Sequence, residues 1–122
     1  MLTGAASARG IGRAVADRMA SEGWAVAILD INGVDAKAAA DEIAARHGVR
    51  ALGLGADVSD KDSVDTAIAQ VEAELPPIVG LANIAGISNP TPFMEETVED
   101  GTAYSTSTCA APSWSARQSS KA

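Results

Sequence analysis

The sequence predicts an α/β domain, a parallel sheet doubly wound with helices, and three observations carry that reading. Helical and strand-like stretches alternate up to Gly86 with short connections, an order that favours right-handed crossovers and parallel strands covered on both faces. Residues 24–29 and 78–82 are short, almost unbroken apolar runs, as strands buried on both faces are. Aromatic residues make up only 3% of the 122 residues within a hydrophobic content of 47%. The core must therefore come from Ala, Val, Ile and Leu, which let helices pack closely on a sheet.

The elements follow in order. Residues 3–12 form a turn of small residues that runs into a helix over about 13–22, which Gly23 ends. Residues 24–29 form a strand with Asp30 at its carboxyl end. Residues 34–47 are rich in Ala with interspersed charges, the composition of a second helix, and Gly48 is its cap. A glycine-containing strand over 49–56 follows. Ser59 or Asp60 can then cap a third helix whose Val64, Ile68, Val71 and Leu75 form one apolar stripe, until Pro76 and Pro77 stop it. The strand over 78–82 delivers Asn83-Ile84-Ala85-Gly86.

Both ends depart from a complete sheet. Only Met1 and Leu2 precede Thr3, so the first strand, which belongs between the second and fourth, is expected to be mostly missing and the chain to be marginally stable. From Gly101 onward Ser, Thr and Ala dominate and no periodicity survives. The expected division is a partial nucleotide-binding domain over 1–100 and a polar tail over 101–122, largely disordered.

Composition removes several function classes. A net charge of −7 and a pI near 4.5 argue against a nucleic-acid partner, which needs clustered Lys and Arg. No apolar run approaches the roughly 20 residues that span a bilayer, and the N-terminus lacks a charged region followed by an apolar core. A soluble, cytoplasmic chain is expected. Cys109 is the only cysteine, so neither an internal disulfide nor a multi-cysteine metal site is available. His47 sits near a helix C-terminus without companion ligands, which makes a metal role improbable. Asp41, Glu42, Glu72 and Glu74 read as solvated helix faces, and Glu95-Glu96 with Glu99-Asp100 as an exposed acidic turn before a helix.

Two features point to chemistry. Gly4, Gly10 and Gly12 lie in a loop leading into a helix, where backbone amides can approach a pyrophosphate and the helix terminus offers partial positive charge. Such loops are also ordinary turns. Asp30 lies 18 residues beyond Gly12 by the numbering. At the end of a strand it can accept hydrogen bonds from ribose hydroxyls, which favours NAD over NADP, although Arg9 offers a 2′-phosphate partial compensation. The competing reading of Asp30 is a helix-capping or solvated carboxylate.

With these residues in view, the sequence resembles the short-chain dehydrogenase/reductase family from Thr3 to about Asp100. The family's T-G-x-x-x-G-x-G loop is matched by Thr3, Gly4, Gly10, Ile11 and Gly12, with two additional residues between the first and second glycine. The resemblance implies a Rossmann-type fold and an alcohol or ketone substrate handled by hydride transfer with NAD, or secondarily NADP. It makes Asp30 the ribose acid and Asp57-Val58 the pair that holds the adenine. The N-N-A-G signature appears as Asn83-Ile84-Ala85-Gly86, so Asn83, Ala85 and Gly86 line the cleft. Ser7, Arg9 and Ile11 of the loop, and Ile31 beside Asp30, complete the candidate cofactor residues. Phe93 and Met94, after Pro90 and Pro92, lead toward the substrate side, though packing residues read the same way. The full-length parent is expected to be a homotetramer assembled through later helices.

The family's catalytic Ser and Tyr-x-x-x-Lys pair have no counterpart. The only tyrosine is Tyr104, Thr108 stands four residues later, and Lys121 is alone in the tail. Back-translated one base out of register from Asp100, the tail permits Trp-Asp-Arg-Val-Phe-Asp-Ile-Asn-Met-Arg-Gly-Thr-Phe-Leu-Val, which looks like the family's next helix. A one-base deletion near Asp100 is therefore expected, and the coding DNA decides it. A natural low-complexity tail is the competing reading. In function, an inactive cofactor-binding half of such an oxidoreductase stands against a non-catalytic module that binds a dinucleotide for regulation.

Overall fold

The computed structural model describes residues 1–86, 95, 97–99 and 102. Four strands, β1 (Leu2–Thr3), β2 (Val26–Asp30), β3 (Ala51–Gly55) and β4 (Ala82–Asn83), form one sheet in the order β3-β2-β1-β4. Every pairing is parallel. The helices α1 (Ile11–Ser21), α2 (Gly33–His47) and α3 (Lys61–Glu74) are the connections between successive strands. This is the incomplete, doubly wound Rossmann-type arrangement that the alternation predicts.

The pleat of β2 divides the core. Val26 and Ile28 pack with Ala16 and Ala20 of α1 and Ala36, Ala39, Ala40 and Ile43 of α2. Ala27 and Leu29 point the other way, toward Ala67 and Val71 of α3. Residues i and i+2 of a strand share a face, so one apolar run serves two helix layers. Alanine dominates because a larger residue at these crossings would push the helices off the sheet. Gly53 of β3 marks the tightest crossing, since a Cβ there would stand 2.1 Å from the carbonyl oxygen of Ala36.

The punctuation works as its chemistry suggests. Gly23 ends α1 at φ +90°, and Gly48 caps α2 in the left-handed region at φ +68°. Asn32 accepts from the amide of Asp35 and returns a bond to that carboxylate, closing the first turn of α2. At α3 the cap is Asp60, whose side chain accepts from the Asp62 amide. The apolar stripe of α3 buries Val64, Ala67, Ile68 and Val71, whereas Leu75 lies beyond the helix at its C-cap.

Two elements differ from expectation. The first strand is short, but Leu2 and Thr3 still bridge β2 and β4, pairing with Ile28 and Leu29 on one side and Ala82 and Asn83 on the other. The fourth strand is not residues 78–82 but Ala82–Asn83. Its ladder can extend only as far as β1 offers partners, and β1 begins at Leu2. Val98, Glu99 and Thr102 have helical backbone, and the Thr102 hydroxyl donates to the Val98 carbonyl at 2.9 Å. Phe93, Met94, Tyr104, Thr108, Cys109 and Lys121 lie outside the described residues.

Helices α1 and α2 are tied by charge. Arg13 pairs with Glu42, and Asp17 takes both Arg46, at 2.7 Å, and the Nε2 of His47, at 3.0 Å. The His47 contact first, and the Arg46 charge after it, hold the Asp17 carboxyl below its usual range. A carboxyl depressed on folding contributes stability above its unfolded pKa and loses it as pH falls through the folded one. Asp17→Asn is therefore expected to lower the thermal midpoint at pH 7, and the two proteins to converge as pH falls through the depressed folded pKa of Asp17. Midpoints measured from pH 7 downward that stay equally separated would contradict this.

Candidate cofactor site

The sequence-predicted residues gather at one end of the sheet. In parallel α/β sheets the crevice lies outside the carboxyl ends of the strands, and β1, β2, β3 and β4 deliver there the residues 4–12, Asp30-Ile31, Asp57-Val58 and 83–86. The crevice is open among the described residues.

The glycine loop is built from close approaches. Gly4 adopts φ +70° and donates its amide to Leu29 at 2.8 Å. A Cβ on Gly4 would lie 2.6 Å from the backbone of Ala85, so this glycine lets the loop lie against the segment after β4. Gly12, inside the first turn of α1, is buried against the loop, where a Cβ would meet the Gly4 carbonyl oxygen at 2.5 Å. The two additional residues of the loop are taken up in an exposed turn, closed by a bond from the Gly10 amide to the Ser7 carbonyl at 3.0 Å. The amide of Gly10 itself is thus spent inside the loop. Gly10 is the N-cap of α1 and no side chain caps that helix, so the amides of Ile11, Gly12 and Arg13 have no intrahelical acceptor. Those three, not Gly10, are the donors that an anion would meet.

Asp30 is anchored to the loop. One carboxylate oxygen accepts from the Ala6 amide at 3.1 Å and the other from the Asn32 amide at 3.2 Å. Helix α2 is capped by Asn32 and not by Asp30, and each Asp30 carboxylate oxygen keeps a second lone pair for a ligand. Two apolar side chains at this end are exposed, Ile11 in the first turn of α1 at 77% and Ile31 beside Asp30 at 78%. Ser7 and Arg9 are exposed on the loop's turn.

Asp57 follows β3, its amide donating to the Ser63 hydroxyl at 3.0 Å. Its carboxylate accepts from the hydroxyl of Ser59 at 2.6 Å and the amide of Ser59 at 2.9 Å. These bonds, the hydroxyl first, hold the Asp57 carboxyl below the usual range, so it is an anion at neutral pH. Val58 beside it is half-buried. Asn83 and Gly86 are exposed at the crevice and Ala85 is half-buried.

One residue of this end has no place among the sequence-predicted site residues. Thr3 is 1% exposed, and its hydroxyl oxygen accepts from the amides of Ile84 and Ala85 at 3.2 and 3.3 Å. It clasps the segment after β4 to the glycine loop. The only signal is a hydroxyl residue directly before Gly4, which serves equally well in an ordinary turn. Among the described residues no group of His, Cys, Asp and Glu could hold a metal ion, and no helix is long and apolar enough to cross a membrane.

Four parallel strands, a glycine loop running into an uncapped helix and an acid ending the second strand define a dinucleotide-binding α/β fold. Comparison with known proteins makes the class specific. The sequence model of the short chain dehydrogenase family matches residues 1–115, and the chain belongs to this family. It is 44% identical over 96 residues to an uncharacterized short-chain type dehydrogenase/reductase of Sinorhizobium fredii, covering 78% of this chain and 38% of that protein. It is 37% identical over 94 residues to the 3-oxoacyl-(acyl-carrier-protein) reductase of Aquifex aeolicus, covering 77% and 38% respectively. Among solved structures, sorbitol-6-phosphate 2-dehydrogenase from Erwinia amylovora superposes with a TM-score of 0.90 at 25% identity, covering 98% of this chain and 46% of that one. L-sorbose reductase from Gluconobacter frateurii, solved with NADPH and L-sorbose, does so with a TM-score of 0.85 at 28% identity, covering 95% and 44%. The chain thus spans less than half the length of these relatives.

Proposed function

We propose that this chain is the cofactor-binding part of an NAD(P)-dependent oxidoreductase that interconverts an alcohol and a carbonyl, and that its 122 residues bind the dinucleotide without turning substrate over. The observation that carries the reading is the convergence of the glycine loop, Asp30, Asp57-Val58 and Asn83 at the carboxyl ends of four parallel strands. The free amides of the first turn of α1 would hold the diphosphate. Asp30 would take the adenosine ribose through its remaining lone pairs, with Ile11 and Ile31 offering apolar surface. Ser7 and Arg9 on the loop, Asp57-Val58 at the adenine, and Asn83, Ala85 and Gly86 along the cleft complete the set. The bound nicotinamide would supply or accept the hydride.

NAD is the proposed partner, because a 2′-phosphate would meet the Asp30 carboxylate. Arg9 tempers that preference, and the reductase complexed with NADPH belongs to the same fold. The proposal that these 122 residues do not turn substrate over rests on the lack of a Tyr-x-x-x-Lys pair among them. We also propose the division at Asp100, with residues 101–122 read out of frame, and a cytoplasmic location.

Titrating the chain with NADH and following cofactor fluorescence tests the reading. Saturable binding is expected, weaker for NADPH, and Asp30→Ala should weaken NADH at least tenfold, about 1.4 kcal/mol, while leaving NADPH less affected. No saturation with either cofactor overturns the cofactor assignment, and turnover of any alcohol overturns the inactivity.

A further inference from the structure

Asn32 stands between two carboxylates. Its backbone amide donates to one oxygen of Asp30 at 3.2 Å, and its side-chain nitrogen donates to Asp35 at 2.6 Å. Its side-chain oxygen accepts from the Asp35 amide at 3.2 Å, as only the carbonyl end of an Asn side chain can. The cap of α2 and the acid of the candidate site thus share one residue.

We propose that Asn32 is a positioning residue for the cofactor, and that its grip on Asp35 sets the preference for an adenosine ribose with a free 2′-hydroxyl over one carrying a 2′-phosphate. The inference rests on the reading of Asp30 as the ribose acid. A carboxylate takes both hydroxyls of a ribose only if its two oxygens are presented together. Asp30 is held for that, because the Ala6 amide of the glycine loop binds one oxygen at 3.1 Å and the Asn32 amide binds the other. With either donor lost, the carboxylate is free to rotate to another staggered position.

The two donors are secured differently. Ala6 belongs to the buried core, whereas Asn32 and Ile31 before it are exposed. What fixes the Asn32 amide is its own side chain. The Asn32 backbone stands at φ −88° and ψ 88°, short of the extended values usual for an N-cap. The pair of bonds to Asp35 ties it to the first turn of α2, together with the Ala36 amide, which donates to the Asn32 carbonyl at 2.9 Å. That turn is anchored in its turn, since Ala36 is fully buried against the sheet. Charge completes the preference. The grip keeps the Asp35 carboxylate on the Asn32 side chain, so a 2′-phosphate at Asp30 would meet a second negative charge one residue away. Released from it, Asp30 can turn aside from a phosphate but no longer accepts two hydroxyls at once. Losing the grip therefore costs NADH and spares NADPH.

The test is to titrate the 122-residue chain and its Asn32 variants with NADH and with NADPH, following cofactor fluorescence. Asn32→Ala should weaken NADH about fivefold while changing NADPH less than about twofold, so that the ratio of the two affinities moves. Asn32→Ser, which caps as well, should return that ratio to within about twofold of the parent. Asn32→Gly, a tolerated cap without a side chain, should behave as Asn32→Ala does, and it decides the matter if the alanine variant does not fold. A role confined to stability would lower both affinities alike by reducing the folded fraction. A ratio unchanged in these variants, or one that Asn32→Ser does not restore, overturns the inference while the cofactor reading stands. A parent that binds both cofactors equally also overturns it, leaving no preference for Asn32 to set. A parent that binds neither overturns the cofactor reading and the inference with it.

Discussion

Gly53→Ala is expected to unfold most of the chain at 25 °C. A Cβ at this position would stand 2.1 Å from the Ala36 oxygen, 2.3 Å from its carbonyl carbon and 2.5 Å from the Lys37 nitrogen. All three are backbone atoms of α2, so no side chain can swing aside, and the helix must lift from β3. Lifting it loosens Ala36, Ala39, Ala40 and Ile43, all buried at 2% exposure or less. Overpacking of this kind costs about 3 kcal/mol. A sheet whose central strand has two residues holds little in reserve. Urea titration followed by circular dichroism checks it: a midpoint within experimental error of the parent would show that α2 yields more easily than its contacts suggest.

The second large effect falls on the crevice. Gly12→Ala should improve helix α1 by about 1 kcal/mol on propensity alone. The contacts reverse that sign. The new methyl would lie 2.5 Å from the Gly4 oxygen and 2.8 Å from the Cα of Ala5, a residue with 0% exposure. The first turn of α1 must move off the loop, taking with it the amides of Ile11, Gly12 and Arg13. We expect a net loss of about 2 kcal/mol in stability, together with NADH binding weakened at least tenfold. Gly10→Ala is the control, because its methyl would meet only Ser7, at 3.3 Å. If both variants bind NADH as the parent does, the amides of α1 are not the cofactor's support.

The helices and most of the crevice were legible because local chemistry decides them. Gly23, Gly48, Asp60 and the Pro76-Pro77 pair fix ends through conformations that few other residues adopt, and Asp30 ends a strand whose apolar run is visible. What was not legible depended on partners distant in sequence. The fourth strand is Ala82–Asn83 rather than residues 78–82 because its rungs are set by Leu2 and Thr3 of β1, a fact of pairing and not of propensity. The spending of the Gly10 amide on Ser7 follows from how two extra residues are folded away. The role of Thr3 needs the position of Ile84, 81 residues along the chain.

That clasp has a mechanical consequence. Among the described residues, the wall carrying Asp30 and the wall carrying Asn83 are joined within the sheet through the short strand β1 and the residues on either side of it. Relative motion of the two walls is therefore concentrated along this strand, and the angle between them is set by two rungs on each side of it and one hydroxyl. A molecule that spanned the opening from wall to wall would act as a brace, stiffening the whole sheet from its far side.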